Sequence, residues 1–314
     1  MQTDEMKSKI ESIMFSEIPY GLTIFACINN GDHILLKKFL VNDDLRNKIN
    51  NLLTPVIKDK FMSDETELDS ADNIADNRKV FYEIIQDDVY APFGFINEHE
   101  NIDTYNEKDQ NLLIGLLFKI NLNDQAIWFY QHIYQVRMIK RSKSLYAMIT
   151  KGDIYVPLDR DILRIDSRVD ILIINSSLIT SNISLLQQTF GFEKYVRSEA
   201  AKTIQTIQSL DIISDVEKLL AFEDKPKLTN AKKLLKAKNS PVLKMTKANL
   251  ISSLQKHPRY KNKFQFKDGR IVINAQKDVA ELIKMLNDDI VRSELTNQEY
   301  DSSNKHLLEP LTER

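Results

Sequence analysis

Apolar residues along the chain follow two periods, and the switch between them divides it. Residues 4–16 carry Met6, Ile10, Ile13 and Met14 at helical spacing, which predicts a short amphipathic helix. Residues 20–28 read as a strand, and 34–41 as another. Residues 42–61 read as a helix with Leu45, Ile49, Leu52 and Leu53 on one side, interrupted at Pro55, which lacks an N–H. From residue 80 onward short apolar runs recur: 80–85, 89–96, 112–120, 126–133, 145–150, 154–156, 162–165 and 169–174. Asn121-Leu122-Asn123-Asp124 offers a hairpin turn between two of them, and Lys151-Gly152-Asp153 a second turn. Runs spaced this way predict one mostly antiparallel sheet.

The last third changes to a period of 3.6. Phe192, Val196, Ala200, Ile204, Ile207 and Leu210 form one helical stripe, and residues 230–238, 246–256 and 276–290 predict further helices. In the last of these, Val279, Leu282, Ile283, Leu286 and Ile290 make the core face. Residues 257–263 read as a loop. It leads into a hairpin over 264–273, whose Asp268-Gly269 pair suits a type I′ turn. The fold class is therefore α+β, with a mostly antiparallel β-rich N-terminal half and a helical C-terminal third containing a small hairpin. Two regions are expected, 1–185 and 186–314. Within the first, the polar, acidic stretch near 62–78 is too poor in apolar residues to bury much surface and reads as a flexible loop.

Charge sharpens this picture. The 314 residues carry a net charge of only −2, yet residues 225–270 hold fourteen Lys and Arg against one acid, Asp268. That segment is +13 and the remainder −15, while residues 59–109 alone reach −11. Such asymmetry points to an interaction surface. Clustered Lys suits a phosphate backbone, whose neutralisation releases counterions. Lysine makes point contacts without reading base edges, and only Arg259 and Arg270 interrupt the run of lysines, so the binding expected is independent of sequence. The candidate DNA-binding residues are Lys232, Lys233, Lys236, Lys238, Lys244, Lys247, Lys256, Arg259, Lys261 and Lys263. An acidic protein partner, anionic lipid headgroups or plain solvation are the other readings of the same patch. Arg137, Lys140, Arg141 and Lys143 form a smaller cluster that either extends this surface or is a polar connection.

Other chemistry is thinly signalled. Cys27 is the single cysteine, in an apolar run, which excludes an intrachain disulfide and reads as a buried structural thiol. The five histidines are dispersed, and no phosphate-binding glycine loop, nucleophile elbow or zinc-binding motif is present. No catalytic, metal or cofactor site is expected. A metal-dependent nuclease, for which Asp87-Asp88, Asp288-Asp289 and Glu223-Asp224-Lys225 supply the obvious carboxylates, is the catalytic alternative, although adjacent helical residues diverge by about 100°. Phe190, Phe192 and Tyr195 read mainly as core rather than a base-stacking platform, and Trp128, Phe129 and Tyr130 as strand residues divided between core and surface. The N-terminus lacks an apolar leader, and the longest strongly apolar run, 112–118, falls short of the ~20 residues of a membrane span. A cytoplasmic protein is expected.

Residues 286–300 form a distinctive string in which Leu286, Asp288, Asp289, Ser293, Leu295, Thr296 and Tyr300 set the pattern. With Phe190-Gly191-Phe192-Glu193, this string resembles the KwaB family, the second subunit of the two-gene Kiwa anti-phage defence system. Length, the β-rich first half and the helical last third fit as well, so the resemblance covers most of the chain, with little in the first 60 residues. It implies a cytoplasmic bacterial defence effector that binds DNA and blocks phage replication. The implied partner is a KwaA-like inner-membrane protein that holds it peripherally at the membrane, and a homodimer or higher oligomer is expected. The tail pattern carries no assigned chemistry. Asp288 and Asp289 at a helix C-terminus are unfavourable there and call for a cation, with Lys305 one candidate.

Overall fold

A computed structural model describes residues 1–31, 33–73, 81–97, 102–134, 138–139, 148–151, 154–157, 162–224, 228–293, 295 and 298–301. The chain forms two compact units, one of residues 1–69 and 80–183, the other of residues 70–79 and 184–314.

The first unit starts with helix α1 (Thr3–Met14), strands β1 (Gly21–Asn29) and β2 (Ile34–Lys38), and helix α2 (Asp43–Phe61). Strands β3 (Leu68–Ser70), β4 (Phe81–Ile85), β5 (Leu113–Leu122) and β6 (Gln125–His132) follow. Two small ladders come next, built from β7 (Met138–Ile139), β8 (Met148–Lys151), β9 (Ile154–Pro157) and β10 (Ile162–Leu163), with β7 paired to β10 and β8 to β9. Finally β11 (Ile171–Ile174) and β12 (Ser177–Thr180) complete an eight-stranded sheet ordered β2-β1-β5-β6-β11-β12-β4-β3. The pairings from β2 through β4 are antiparallel, so the α+β class with strands mainly early and helices mainly late holds.

One face of this sheet carries the core. Ile24, Ala26, Ile28, Leu116, Phe118, Ile127, Phe129, Leu172 and Ile174 alternate onto it and meet Met6 and Ile10 of α1 and Ile49, Leu53, Ile57 and Phe61 of α2. Cys27 is buried as expected, and burial pushes its thiol well above the ordinary range. The hairpin expected around Asn121–Asp124 joins β5 to β6 and turns at Asn123, which takes the left-handed conformation with φ 53°.

Four expectations need correction. Pro55 does not interrupt α2, which runs unbroken to Phe61. The proline sits on the exposed side, where a carbonyl left without its donor can be hydrated, and the buried stripe is continuous. The apolar run 89–96 is no strand: Gly94–Asn97 is a 3-10 turn, and Asp87 holds the approach by accepting the Val89 and Tyr90 N–H groups. In the described part of the acidic stretch, Leu68–Ser70 is a strand and Ala71–Asn73 a 3-10 turn, with Asp72 buried; the rest of the stretch, from residue 74, lies outside the described residues. The helix expected over 276–290 ends at Leu286, because Asp288 adopts φ 52° and the chain turns into a strand at Ile290.

Among the described residues no helix is long and apolar enough to cross a membrane.

Gly115 in β5 faces the buried Tyr130 ring so closely that an added Cβ would lie 2.2 Å from it. Tyr130 is held there by donating to the Ile114 carbonyl at 3.0 Å. Gly115→Ala should therefore destabilise the fold by ~1–3 kcal/mol, the usual cost of overpacking, measured as a lowered midpoint of urea unfolding.

Candidate nucleic-acid interface

The basic segment belongs to the second unit. There α3 (Ile183–Thr189), α4 (Phe192–Ser209), α5 (Glu217–Glu223) and α6 (Thr229–Ala237) precede α7 (Lys247–Lys256), α8 (Pro258–Lys263), the hairpin β13–β14 (Gln265–Lys267, Arg270–Val272) and α9 (Gln276–Leu286). The short ladder β15–β16 (Ile290–Arg292, Glu299–Asp301) ends it. Helix α6 buries Leu234 and Leu235, and α9 buries Val279, Leu282, Ile283 and Leu286, the stripe its sequence showed. Phe192 and Tyr195 stack at 5.2 Å in the interior rather than on a surface.

Helix α7 starts at Thr246, whose hydroxyl accepts the Asn249 N–H, and turns Leu250, Ile251 and Leu254 inward. Residues 258–263 are helical, not a loop, because Pro258 occupies the first helical position, where no N–H is needed. Asp268 and Gly269 both take positive φ, 52° and 68°, making the expected I′ turn. The hairpin is anchored by the Ile271 N–H donating to the Ile212 carbonyl and the Ser214 N–H donating to the Ile271 carbonyl.

The ten candidate cations fall into two sets. Four are engaged by carboxylates of this chain. Lys238 meets Glu199 at 2.5 Å and Asp72 at 3.1 Å, Lys236 meets Asp289 at 3.0 Å, Lys247 meets Asp211 at 2.7 Å, and Arg259 meets Glu281 at 3.5 Å. Arg270 also binds Asp211, at 2.9 Å. The other six, Lys232, Lys233, Lys244, Lys256, Lys261 and Lys263, have no ion pair among the described residues, and all but the half-buried Lys232 are exposed. Lys225, Lys227, Arg137, Lys140, Arg141 and Lys143 lie outside the described residues. Lys256 ends α7, α8 immediately follows with Lys261 and Lys263, and Lys244 stands just before α7. The ten-residue helix separates the two ends by about 15 Å.

Sequence spacing could not reveal the engaged set. Asp72, buried in its 3-10 turn, also accepts from the Tyr195 hydroxyl at 3.1 Å and the Asn239 side-chain amide at 3.1 Å. Glu199 is only 4% exposed and binds Lys202 as well as Lys238. Burial alone would raise its carboxyl, but the two lysine hydrogen bonds outweigh burial and hold it below the ordinary glutamate range. Burial likewise works to lower Lys238, and its two carboxylates reverse that and raise it. Asp211, in the left-handed conformation after α4, is held low by hydrogen bonds from Lys247 and Arg270. Of the two acids expected to call for a cation, Asp289 meets Lys236. Lys305 lies outside the described residues, as does Thr296.

Among the described residues no three His, Cys, Asp or Glu side chains gather as a metal would require. Asp87 caps a turn and Asp289 pairs with Lys236.

Because Glu199 is depressed in the folded state, its contribution to stability is complete above the ordinary glutamate range and fades as pH falls through its folded value. Glu199→Gln should flatten the acid limb of a stability–pH profile and cost ~1–3 kcal/mol near neutrality. The figure lies below that for a fully buried pair because Lys202 and Lys238 reach solvent. Urea midpoints across pH for both proteins check this.

The Kiwa protein KwaB-like family matches residues 110–296, more than half of the chain. Kiwa protein KwaB of Escherichia coli O55:H7 (strain RM12579 / EPEC) is 22% identical over 324 aligned positions, covering 98% of this chain and 100% of that protein. No solved structure matches. With both the matched region and the end-to-end alignment in hand, the chain belongs to the Kiwa protein KwaB-like family.

Proposed function

We propose that this protein is an effector of Kiwa anti-phage defence that holds DNA electrostatically on the α7–α8 surface and so impedes phage replication. Family membership supports the defence role. The observation that carries the DNA reading is the set of cations left without carboxylate partners, chiefly Lys244, Lys256, Lys261 and Lys263, in a stretch whose own sequence contains no acid before Asp268. Duplex DNA places one negative charge per ~1.7 Å of axis, so a surface ~15 Å long faces several phosphates at once. Lys232 and Lys233 on α6 are the further candidates. Lys236, Lys238, Lys247 and Arg259 serve the protein's own carboxylates, and in this reading their first task is to hold the helices.

Lysine point charges give register without base recognition, so binding is sequence-independent. The action is binding rather than cleavage. Kiwa is a multi-component system, and the proposed protein partner is a KwaA-like inner-membrane protein that recruits this chain peripherally, with self-association into a homodimer or higher oligomer.

Salt and charge reversal test the proposal together. In fluorescence anisotropy with a labelled duplex, log K should fall linearly with log salt, by ~0.9 per phosphate neutralised. Lys256→Glu, Lys261→Glu and Lys263→Glu combined should weaken binding more than about tenfold and flatten that slope, with an unchanged melting temperature. Lys238→Glu should instead lower the melting temperature, because it sets a third carboxylate against Glu199 and Asp72. A salt-independent affinity, or full affinity in the triple variant, rejects the interface. Cleavage of phage DNA with Mg²⁺ or Mn²⁺ would replace the binding reading with a nuclease.

A further inference from the structure

The β1–β2 ladder closes before β1 does. Its register runs from Asn29↔Ile34 to Phe25↔Lys38, and its last bond is the Phe39 N–H donating to the Ile24 carbonyl at 2.9 Å. Beyond Phe39 the chain departs toward α2, while β1 continues to Gly21, paired only with β5. In an antiparallel ladder, alternate residues aim both backbone groups to the same side. Leu22, two residues before Ile24, therefore points its N–H and C=O away from β5, where the described residues supply no backbone partner. An open groove of about 440 Å³ lies along this stretch, lined among others by Tyr20, Leu22, Lys38, Leu40, Val41 and Arg46.

The lining is unusual for a free sheet edge. Leu40 is 74% exposed, and Lys38 is exposed with no ion pair among the described residues. Sheet edges that remain in water are ordinarily blunted by a bulge, a proline or inward-facing charge. Here apolar walls flank unpaired backbone groups instead, the arrangement by which an added strand is recognised: main-chain bonds give affinity, and pockets for alternate side chains give specificity.

We propose that this groove binds an extended peptide segment of a partner protein as an additional strand beside Tyr20–Thr23. Apolar side chains at alternate positions would face Leu40 and Val41, and an acidic side chain would meet Lys38. At ~3.3 Å per residue the open stretch accommodates about four residues of such a strand. Anionic lipid could also meet Lys38, but lipid has no use for the N–H and C=O that Leu22 leaves open, which is why the observations favour a peptide.

The test uses the full chain and fluorescence anisotropy with a fluorescein-labelled octapeptide of alternating valine and glutamate. The comparison ligands are the same peptide N-methylated at alternate residues, an alternating valine–lysine peptide, and phosphatidylglycerol vesicles. The valine–glutamate peptide should bind. N-methylation should cost at least tenfold because it removes main-chain donors, and Lys38→Glu and Leu40→Asp should each weaken binding severalfold without changing the melting temperature. No binding of the valine–glutamate peptide overturns the proposal. So does equal binding of its N-methylated or lysine counterpart, or vesicle binding that depends on Lys38 and Leu40 in place of peptide binding.

Discussion

Carboxylates carried to the basic segment from distant parts of the chain decide what that segment can do. Nothing within residues 225–267 can neutralise its lysines, because that stretch holds no acid. Among the described residues, every neutralising group arrives through the fold: Asp72, Glu199, Asp211, Glu281 and Asp289. Three of these, Asp72, Glu199 and Asp289, are under 9% exposed. A buried carboxylate without a cation is far more costly than a solvated lysine without an acid. The requirement therefore runs from the acids to the lysines. Lys236 and Lys238 are where they are because the interior needs them, and Lys256, Lys261 and Lys263 on α7 and α8 remain outside because no acid among the described residues calls them in.

This division assigns two tasks to one stretch of sequence. Helix α6 faces inward with Leu234 and Leu235 and commits Lys236 and Lys238 to the packing of α4, α9 and the 3-10 turn at Ala71–Asn73. Helix α7 buries only its apolar side, Lys256 at its end reaches solvent, and so does Lys244 in the 3-10 turn just before it. A polyanion on α7 and α8 would thus find charge that folding does not consume, so binding and stability can vary independently. Lys247, which shares Asp211 with Arg270, stands between the two tasks: partly exposed, yet holding α7 to the end of α4, as Arg270 holds the hairpin there.

Much of this was legible from local pattern. The Asp268-Gly269 turn, the apolar stripe of α9 and the burial of Cys27 each follow from residues close in sequence, and each is found. Strand β12 was missed, because Ser177–Thr180 is too short to show a period, and it forms by pairing with β4 more than 90 residues earlier. Pro55 and residues 258–263 were misread for the same reason from opposite sides. A proline's effect depends on whether its missing N–H falls on a solvated face or at a helix start, and composition does not say which. The basic patch was visible as charge but not as partition. Asp72 and Asn239 are hydrogen-bonded across 167 residues, and no spacing rule reaches that far.

The acidic stretch near residue 70 makes the same point from the anion's side. Read as composition, it is a solvated spacer, since nearly every residue is polar. In the fold, Asp72 is buried and accepts from Lys238, Tyr195 and Asn239. Three donors on one carboxylate fix a position that apolar packing could not, given how little apolar surface the stretch has to offer. At residues 68–73 polarity goes with a built structure. It supplies a few strong, directional contacts in place of a hydrophobic face, and it does so only because the basic segment holds a lysine for it to meet.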